Sequence, residues 1–125
     1  MPYLLDSCIL IDYSRGHQGA VTFVESIENT PDVSVLTMTE ILSGVRNQRE
    51  ERLFDRLFSV MGLIPVNAEI ATLASDYLRQ YRGSHQLDPF DAIIAASATS
   101  QGLELVTLNL IHFPMMDGIK RPYTD

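Results

Sequence analysis

Asp6, Glu40 and Asp91 are three carboxylates that the chain could bring together, and Asp6, embedded between Leu5 and Cys8-Ile9, is costly there unless something compensates it. Asp6 closes the run Tyr3-Leu4-Leu5 and is followed, beyond Ser7, by Cys8-Ile9-Leu10-Ile11. Glu40 follows the run Val33-Ser34-Val35-Leu36, and Asp91 lies just inside the segment opened by Asp88-Pro89. Thr107 and Asn109 follow a further run, Leu103-Glu104-Leu105-Val106. Carboxylates brought to one spot repel each other unless protons or a cation neutralise them. Three of them, completed by water, suit Mg²⁺ or Mn²⁺, hard ions that prefer oxygen and keep part of their hydration. An ion held in this way polarises a phosphate and lowers the pKa of bound water, the chemistry of phosphodiester cleavage. Each acid also has a plainly structural reading. Glu40 can complete a capping box with Thr37, Asp88 is a natural helix N-cap, and Asp91 would then be the third helical residue, favourable to the helix dipole.

These acids can meet only if the intervening elements bring them together. The spacing predicts a strand at Tyr3–Leu5 running into a helix, and a second helix over Ala20–Ile27. A strand follows at Val33–Leu36, then a helix from Thr37 through Val45. Arg49–Met61 reads as a helix ended by Gly62. Leu63-Ile64-Pro65-Val66 reads as an edge strand because of its proline. Asn67 caps a helix with apolar positions from Ile70 to Tyr81, and Arg82–Gln86 reads as a polar loop. Asp88-Pro89 opens the last helix, Gly102 closes it, and the strand Leu103–Val106 is followed by a punctuated tail with one further strand near Ile119. Strands separated by helices imply an α/β fold, a parallel sheet of four to five strands covered on both faces. Ligands of such sheets bind outside the carboxyl ends of the strands. Asp6, Thr107 and Asn109 belong to that edge directly, whereas Asp91 reaches it only if its helix begins near the cleft.

The chain has 125 residues, 46% of them hydrophobic and 20% charged, which suits one globular domain over 1–125 and excludes a disordered composition. No apolar run reaches the roughly eighteen residues of a membrane span, so no membrane partner is expected. The N-terminus lacks a basic region and carries Asp6 and Asp12 where a signal peptide is apolar. The lone Cys8 cannot form an internal disulfide, which fits a reducing cytoplasm. The net charge of −7 argues at first sight against a nucleic-acid partner. Against this, Arg46, Arg49, Arg52 and Arg56 would share one face if they lie on one helix. That face is either a solvated surface or a set of phosphate contacts, to which Arg79 and Arg82 would add. His17 and His85 read as solvated, and His112 as a residue that touches substrate or packs beside Phe113. Cys8 and the aromatics Tyr13, Phe54, Phe58, Tyr77 and Tyr81 read as core.

Four segments in order carry a resemblance: Leu4-Leu5-Asp6-Ser7 with Ile9 to Tyr13, Thr39-Glu40-Ile41-Leu42-Ser43-Gly44, Asp91-Ala92-Ile93-Ile94-Ala95-Ala96, and Leu105-Val106-Thr107-Leu108-Asn109 leading to His112-Phe113. Together they resemble PIN-domain ribonucleases, specifically VapC-type toxins of toxin–antitoxin pairs, from Tyr3 to about Tyr123. The resemblance implies a three-layer α/β/α sandwich and an acidic site in which Asp6, Glu40 and Asp91 bind Mg²⁺ or Mn²⁺ and support endoribonuclease activity. Ser7 and Thr107 would be supporting residues, and Asn109 a further ligand. RNA contacts are expected from Arg46, Arg49, Arg52 and Arg82. It also implies a homodimer and a cognate antitoxin that inserts a peptide, often with an arginine, into the acidic cleft.

Two positions depart from the pattern. Members usually carry an asparagine where Cys8 stands, and often a fourth acid where Asn109 stands. An amide can ligate through its carbonyl but neutralises no charge, so a second ion would be held more weakly. These departures keep open an alternative, a catalytically weak or inactive PIN-like module that binds RNA or protein. A phosphoacceptor receiver domain would need paired acids after the first strand and an acceptor after the third, where Ser7-Cys8 and Asn67 stand. A haloacid-type phosphatase would need an acid in place of Cys8.

Overall fold

Four strands of three residues each form the middle layer of the protein. The computed structural model describes residues 2–124, the side chains of Arg82 and His85 excepted. In chain order the elements are β1 (Tyr3–Leu5), α1 (Ser7–Ser14), α2 (Gln18–Ser26), β2 (Asp32–Ser34), α3 (Val35–Ser43), α4 (Gln48–Val60), β3 (Gly62–Ile64), α5 (Ala68–His85), α6 (Pro89–Gln101) and β4 (Glu104–Val106). A single 3₁₀ turn, Leu110–His112, follows β4. The sheet order is β3-β2-β1-β4 with every pair parallel; Leu4 lies opposite Asp32 on one side and Leu105 on the other.

The strands are short, but their alternation separates two buried faces. Leu5, Val33 and Val106 point to one face, where Ile9 and Leu10 of α1, Ile41 of α3, and Phe54 and Phe58 of α4 cover them. Leu4 and Leu105 point to the other, against Ile94, Ala95 and Ala98 of α6, with Phe113 closing the cluster at 1% exposure. Ile70 and Ala74 of α5 pack in turn on Ala92 and Ala96 of α6. Burial on both faces explains why the strands read as unbroken apolar runs. Pro65 directly follows β3, which is an edge strand as its proline predicts.

Local chemistry shifts three boundaries. β2 ends at Ser34, and Val35 and Leu36 are helical. The Ser34 hydroxyl accepts the Leu36 N–H at 3.1 Å and so caps α3 before Thr37 can. Glu40 is therefore the sixth residue of α3, outside its first turn, and the expected capping box with Thr37 does not form. The polar stretch Arg82–His85, read as loop, continues α5. No strand forms near Ile119 among the described residues, so the sheet has four strands.

The extended α5 also delivers α6 to the cleft. Glu69, at the start of α5, accepts the hydroxyl of Ser100 near the end of α6 at 3.1 Å, and Tyr77 bonds Thr99. The two helices thus run antiparallel, and α5 carries the chain to the edge where α6 begins. Asp88 caps α6 by accepting the Phe90 N–H at 2.7 Å, Pro89 stands at its first position, and Gly102 ends it at φ +66°, a left-handed conformation that glycine adopts without strain. At the other end of the chain, Tyr123 donates to Asp12 Oδ2 at 3.0 Å and lays its ring beside His17 and over Gly19. Asp12 is therefore engaged by the tail.

Candidate active site

Asp6 is held in place by both backbone and side-chain bonds. Its backbone N–H extends the β1–β4 pairing by donating to Val106 at 2.9 Å, and the chain turns there into α1. Its side chain is 8% exposed and compensated from two sides: Oδ1 accepts the Ser7 N–H at 2.8 Å, and Oδ2 accepts the hydroxyl of the fully buried Thr107 at 2.7 Å. Thr107 Oγ1 in turn accepts the Asn109 N–H at 3.1 Å. Cys8 completes this network. Its sulfur accepts the Leu108 N–H at 3.4 Å and lies 3.6 Å from the Thr107 hydroxyl. Burial pushes its thiol pKa up, so it stays protonated, a weak donor facing Asp6 Oδ2 at 3.9 Å. The sulfur thus partners the first acid, though more weakly than an asparagine amide.

Beyond Asp6 opens a cleft of about 280 Å³ at the carboxyl edge of β1 and β4. α3 contributes Glu40 with Leu36 and Thr37; α6 and its cap contribute Asp88, Phe90, Asp91 and Ile94; the segment after β4 contributes Asn109 and His112. All three predicted acids face this cleft, as do Ser7 and Asn109. Asp91 shows what the crowding does: burial foremost raises its carboxyl from 3.8 to about 6. The charges of Asp6, Asp88 and Glu40 push the same way, while His112, whose Nδ1 lies 3.3 Å from Asp91 Oδ2, pulls it back.

The donors are carboxylate and amide oxygens, which suit a hard divalent ion. Among the described residues, no three His, Cys, Asp or Glu side chains stand close enough to hold an ion by themselves. The oxygen donors that line the cleft fit Mg²⁺ or Mn²⁺, which keep part of their own water, and fit poorly an ion that takes nitrogen or sulfur ligands.

A family model described as the PIN domain matches residues 3–114. The chain belongs to the PIN-domain family. It is 35% identical to Ribonuclease VapC10 of Mycobacterium tuberculosis over 123 residues, covering 96% of this chain and 92% of that protein. Ribonuclease VapC19 of the same organism is 36% identical over 124 residues, covering 96% of this chain and 98% of that protein. In structure, a toxin–antitoxin complex from Klebsiella pneumoniae contains a chain that superposes with a TM-score of 0.82 at 29% identity, covering 97% of this chain and 98% of that one.

The basic residues of this PIN domain are arranged differently from expectation. α4 starts at Gln48 behind the cap Asn47, so Arg46 lies outside the helix and the four-arginine face is broken. Arg46 instead wraps Glu50, donating from its backbone N–H and from Nε, each at 2.9 Å, and from a terminal guanidinium nitrogen. Glu50 is 4% exposed, and these bonds, the guanidinium's first, hold its carboxyl at about 2. Arg49 and Arg52 stay on the exposed surface of α4, Arg52 bonding Gln48; the Arg82 side chain lies outside the described residues. Sequence reasoning missed the contact of His112 with Asp91 and the place of Phe90 and Asp88 in the cleft wall. Asp88 is the helix cap it was read to be, and it also adds a fourth carboxylate to the site.

Proposed function

We propose that this PIN domain is a Mg²⁺- or Mn²⁺-dependent endoribonuclease toxin, in which Asp6, Glu40 and Asp91 hold the ion and Asn109 offers a further oxygen. The observation that carries the reading is the convergence of four carboxylates on one cleft, where burial foremost, with the neighbouring acids adding to it, raises Asp91 to about 6. The names of the relatives, two ribonucleases at 35–36% identity, support the same reaction class.

When bound, the ion supplies Lewis-acid polarisation of the phosphate and a water of lowered pKa. The chain's own residues supply placement. The Thr107 hydroxyl and the Ser7 N–H each occupy one lone pair of Asp6, so its orientation is fixed where it lines the cleft. Glu40 and Asp91 approach from two different helices, so the site exists only when both layers pack on the sheet. His112 keeps a second basic group beside Asp91, within reach of a substrate entering the cleft. Asp6, Glu40 or Asp91 accepts the proton of the attacking water, and the 3′-oxygen leaves on the opposite side of the phosphorus.

The toxin role brings further expectations. The Klebsiella relative is part of a toxin–antitoxin complex, which supports a cognate antitoxin for this chain, and an acidic cleft is a receptor for a guanidinium. The exposed apolar residues Val60, Leu63 and Val66, on and beside the open edge strand β3, offer a surface that a second copy would cover as a homodimer. A cytoplasmic location accords with a reduced Cys8. Among the described residues no helix is long and apolar enough to cross a membrane.

The deciding test is cleavage of a mixed RNA substrate by the purified chain, with Mg²⁺, with Mn²⁺ or with chelator. Asp6→Asn is expected to abolish cleavage while the protein stays folded by circular dichroism. An Asp6→Asn variant that cuts at the parent rate would remove Asp6 from the site. A parent protein that cuts no RNA with either ion, yet binds RNA or antitoxin, would favour the binding-module alternative that the Cys8 and Asn109 departures leave standing.

A further inference from the structure

Phe90 is out of place for a phenylalanine. Of the five in the chain, Phe54, Phe58 and Phe113 are core residues and Phe23 packs on the core, whereas Phe90 is 64% exposed and belongs to none of the apolar clusters. It lies on the wall of the acidic cleft, between the carboxylates of Asp88 and Asp91. Its backbone is not loose: Pro89 precedes it, and its N–H is held by Asp88 Oδ1 at 2.7 Å in the first turn of α6. Leu36 of α3 and Ile94, one turn further along α6, add apolar surface to the same wall. The cleft therefore presents two chemistries side by side, oxygen donors for a cation and a rigidly based aromatic face.

We infer that Phe90 is a stacking platform for the nucleobase next to the scissile phosphate, and so a residue that sets substrate preference. The inference rests on the ribonuclease reading above. The phosphate is drawn to the ion among Asp6, Glu40 and Asp91, and Phe90 is the immediate neighbour of Asp91, so an adjoining base falls beside the ring. Unpaired bases of single-stranded RNA are gripped in this way, by aromatic faces that need no backbone charge. The overall charge makes such a grip necessary. A chain at −7 attracts polyanions weakly, so more of the binding must come from contacts that are not ionic.

The test uses a short single-stranded RNA carrying a cleavage site mapped by sequencing the 5′ ends of a digest, together with two copies bearing an abasic ribose on one or the other side of the scissile bond. The parent is expected to cut the intact RNA about ten-fold more efficiently than one of the abasic copies, mainly through KM. Phe90→Ala is expected to cut both at the abasic rate, Phe90→Trp to keep the preference, and Phe90→Leu, which retains apolar bulk without a ring, to lose it. Thr72→Ala, an exposed residue of α5 outside the cleft lining, serves as the control. The inference is overturned if Phe90→Ala still discriminates intact from abasic RNA as the parent does, or if Phe90→Leu matches the parent. It is equally overturned if Phe90→Ala changes only inhibition by the antitoxin, which would assign the ring to a protein partner. A parent that discriminates neither abasic copy overturns it while leaving the ribonuclease reading intact, and a parent that cuts no RNA overturns both.

Discussion

Asp91 serves the cleft at the expense of the fold. Its carboxyl is raised from 3.8 to about 6, so the folded chain holds this proton over a pH range in which the unfolded chain has lost it. Stability consequently falls as pH climbs from about 4 to about 6, and the full cost persists above that. Asp91→Asn, neutral and nearly isosteric, is expected to abolish RNA cleavage yet stabilise the protein by about 1–3 kcal/mol at about pH 7.5, with little gain at about pH 3.5. Denaturant unfolding in chelator at both pH values measures this, and a less stable Asp91→Asn at the higher pH would contradict it. Thr107 makes the complementary case. Its hydroxyl touches Asp6 but sits at 0% exposure, behind the acid and away from any substrate. Thr107→Val removes that orienting bond together with the acceptor of the Asn109 N–H, so a loss of about 10–100-fold in ion affinity or activity is expected, measurable as a shift in the Mg²⁺ dependence of cleavage.

At the scale of elements, the link between α3 and α4 is fastened by the Arg46–Glu50 pair. A carboxyl held at about 2, against an ordinary value of 4.5, contributes stability that is complete above about pH 4.5 and lost as pH falls towards 2. Urea unfolding at about pH 5 and about pH 2.5 is expected to show a smaller loss in Glu50→Gln than in the parent. The cap of α6 separates a structural role from an electrostatic one. Asp88→Asn keeps an acceptor for the Phe90 N–H and should leave stability nearly unchanged, whereas Asp88→Ala is expected to cost about 1 kcal/mol in thermal or chemical unfolding.

The elements were legible in the sequence wherever a signal is local. Apolar runs marked the four strands, Asn67 and Asp88 marked their helices, Gly102 marked the end of α6, and Pro65 marked the edge. Sequence spacing failed where two local signals compete or where the partner is remote. Ser34 and Thr37 are both competent caps, and Ser34 prevails because Val35 and Leu36 can continue as helix. Asn47 interrupts the arginine series because it caps α4, leaving Arg46 free to fold back on Glu50. Asp6 was nameable because a carboxylate set into apolar sequence at a strand end needs a reason, whereas Glu40 and Asp91 each had a capping or helix-dipole reading and were singled out by the family resemblance. The Thr107–Asp6 and His112–Asp91 contacts were not legible, because no periodicity reports on a neighbour a hundred or even twenty residues away.

For the whole molecule the net charge of −7 counts the cleft's carboxylates without a counter-ion, and one divalent ion among them reduces it by two units. RNA binding is therefore expected to depend on the ion and to show a modest salt slope; tight binding in chelator by filter retention would contradict it. The sheet order has a consequence in time. β1 lies at the centre and requires β4, which is made last, and Asp6 owes its orientation to a hydroxyl 101 residues further along. A ribosome that has not yet passed Leu103 holds a chain with neither the final strand nor Thr107, so the first acid has no fixed direction and the sheet no closing edge. The site thus comes into being only once β4 and Thr107 have been made, and a copy stalled before Leu103 lacks both.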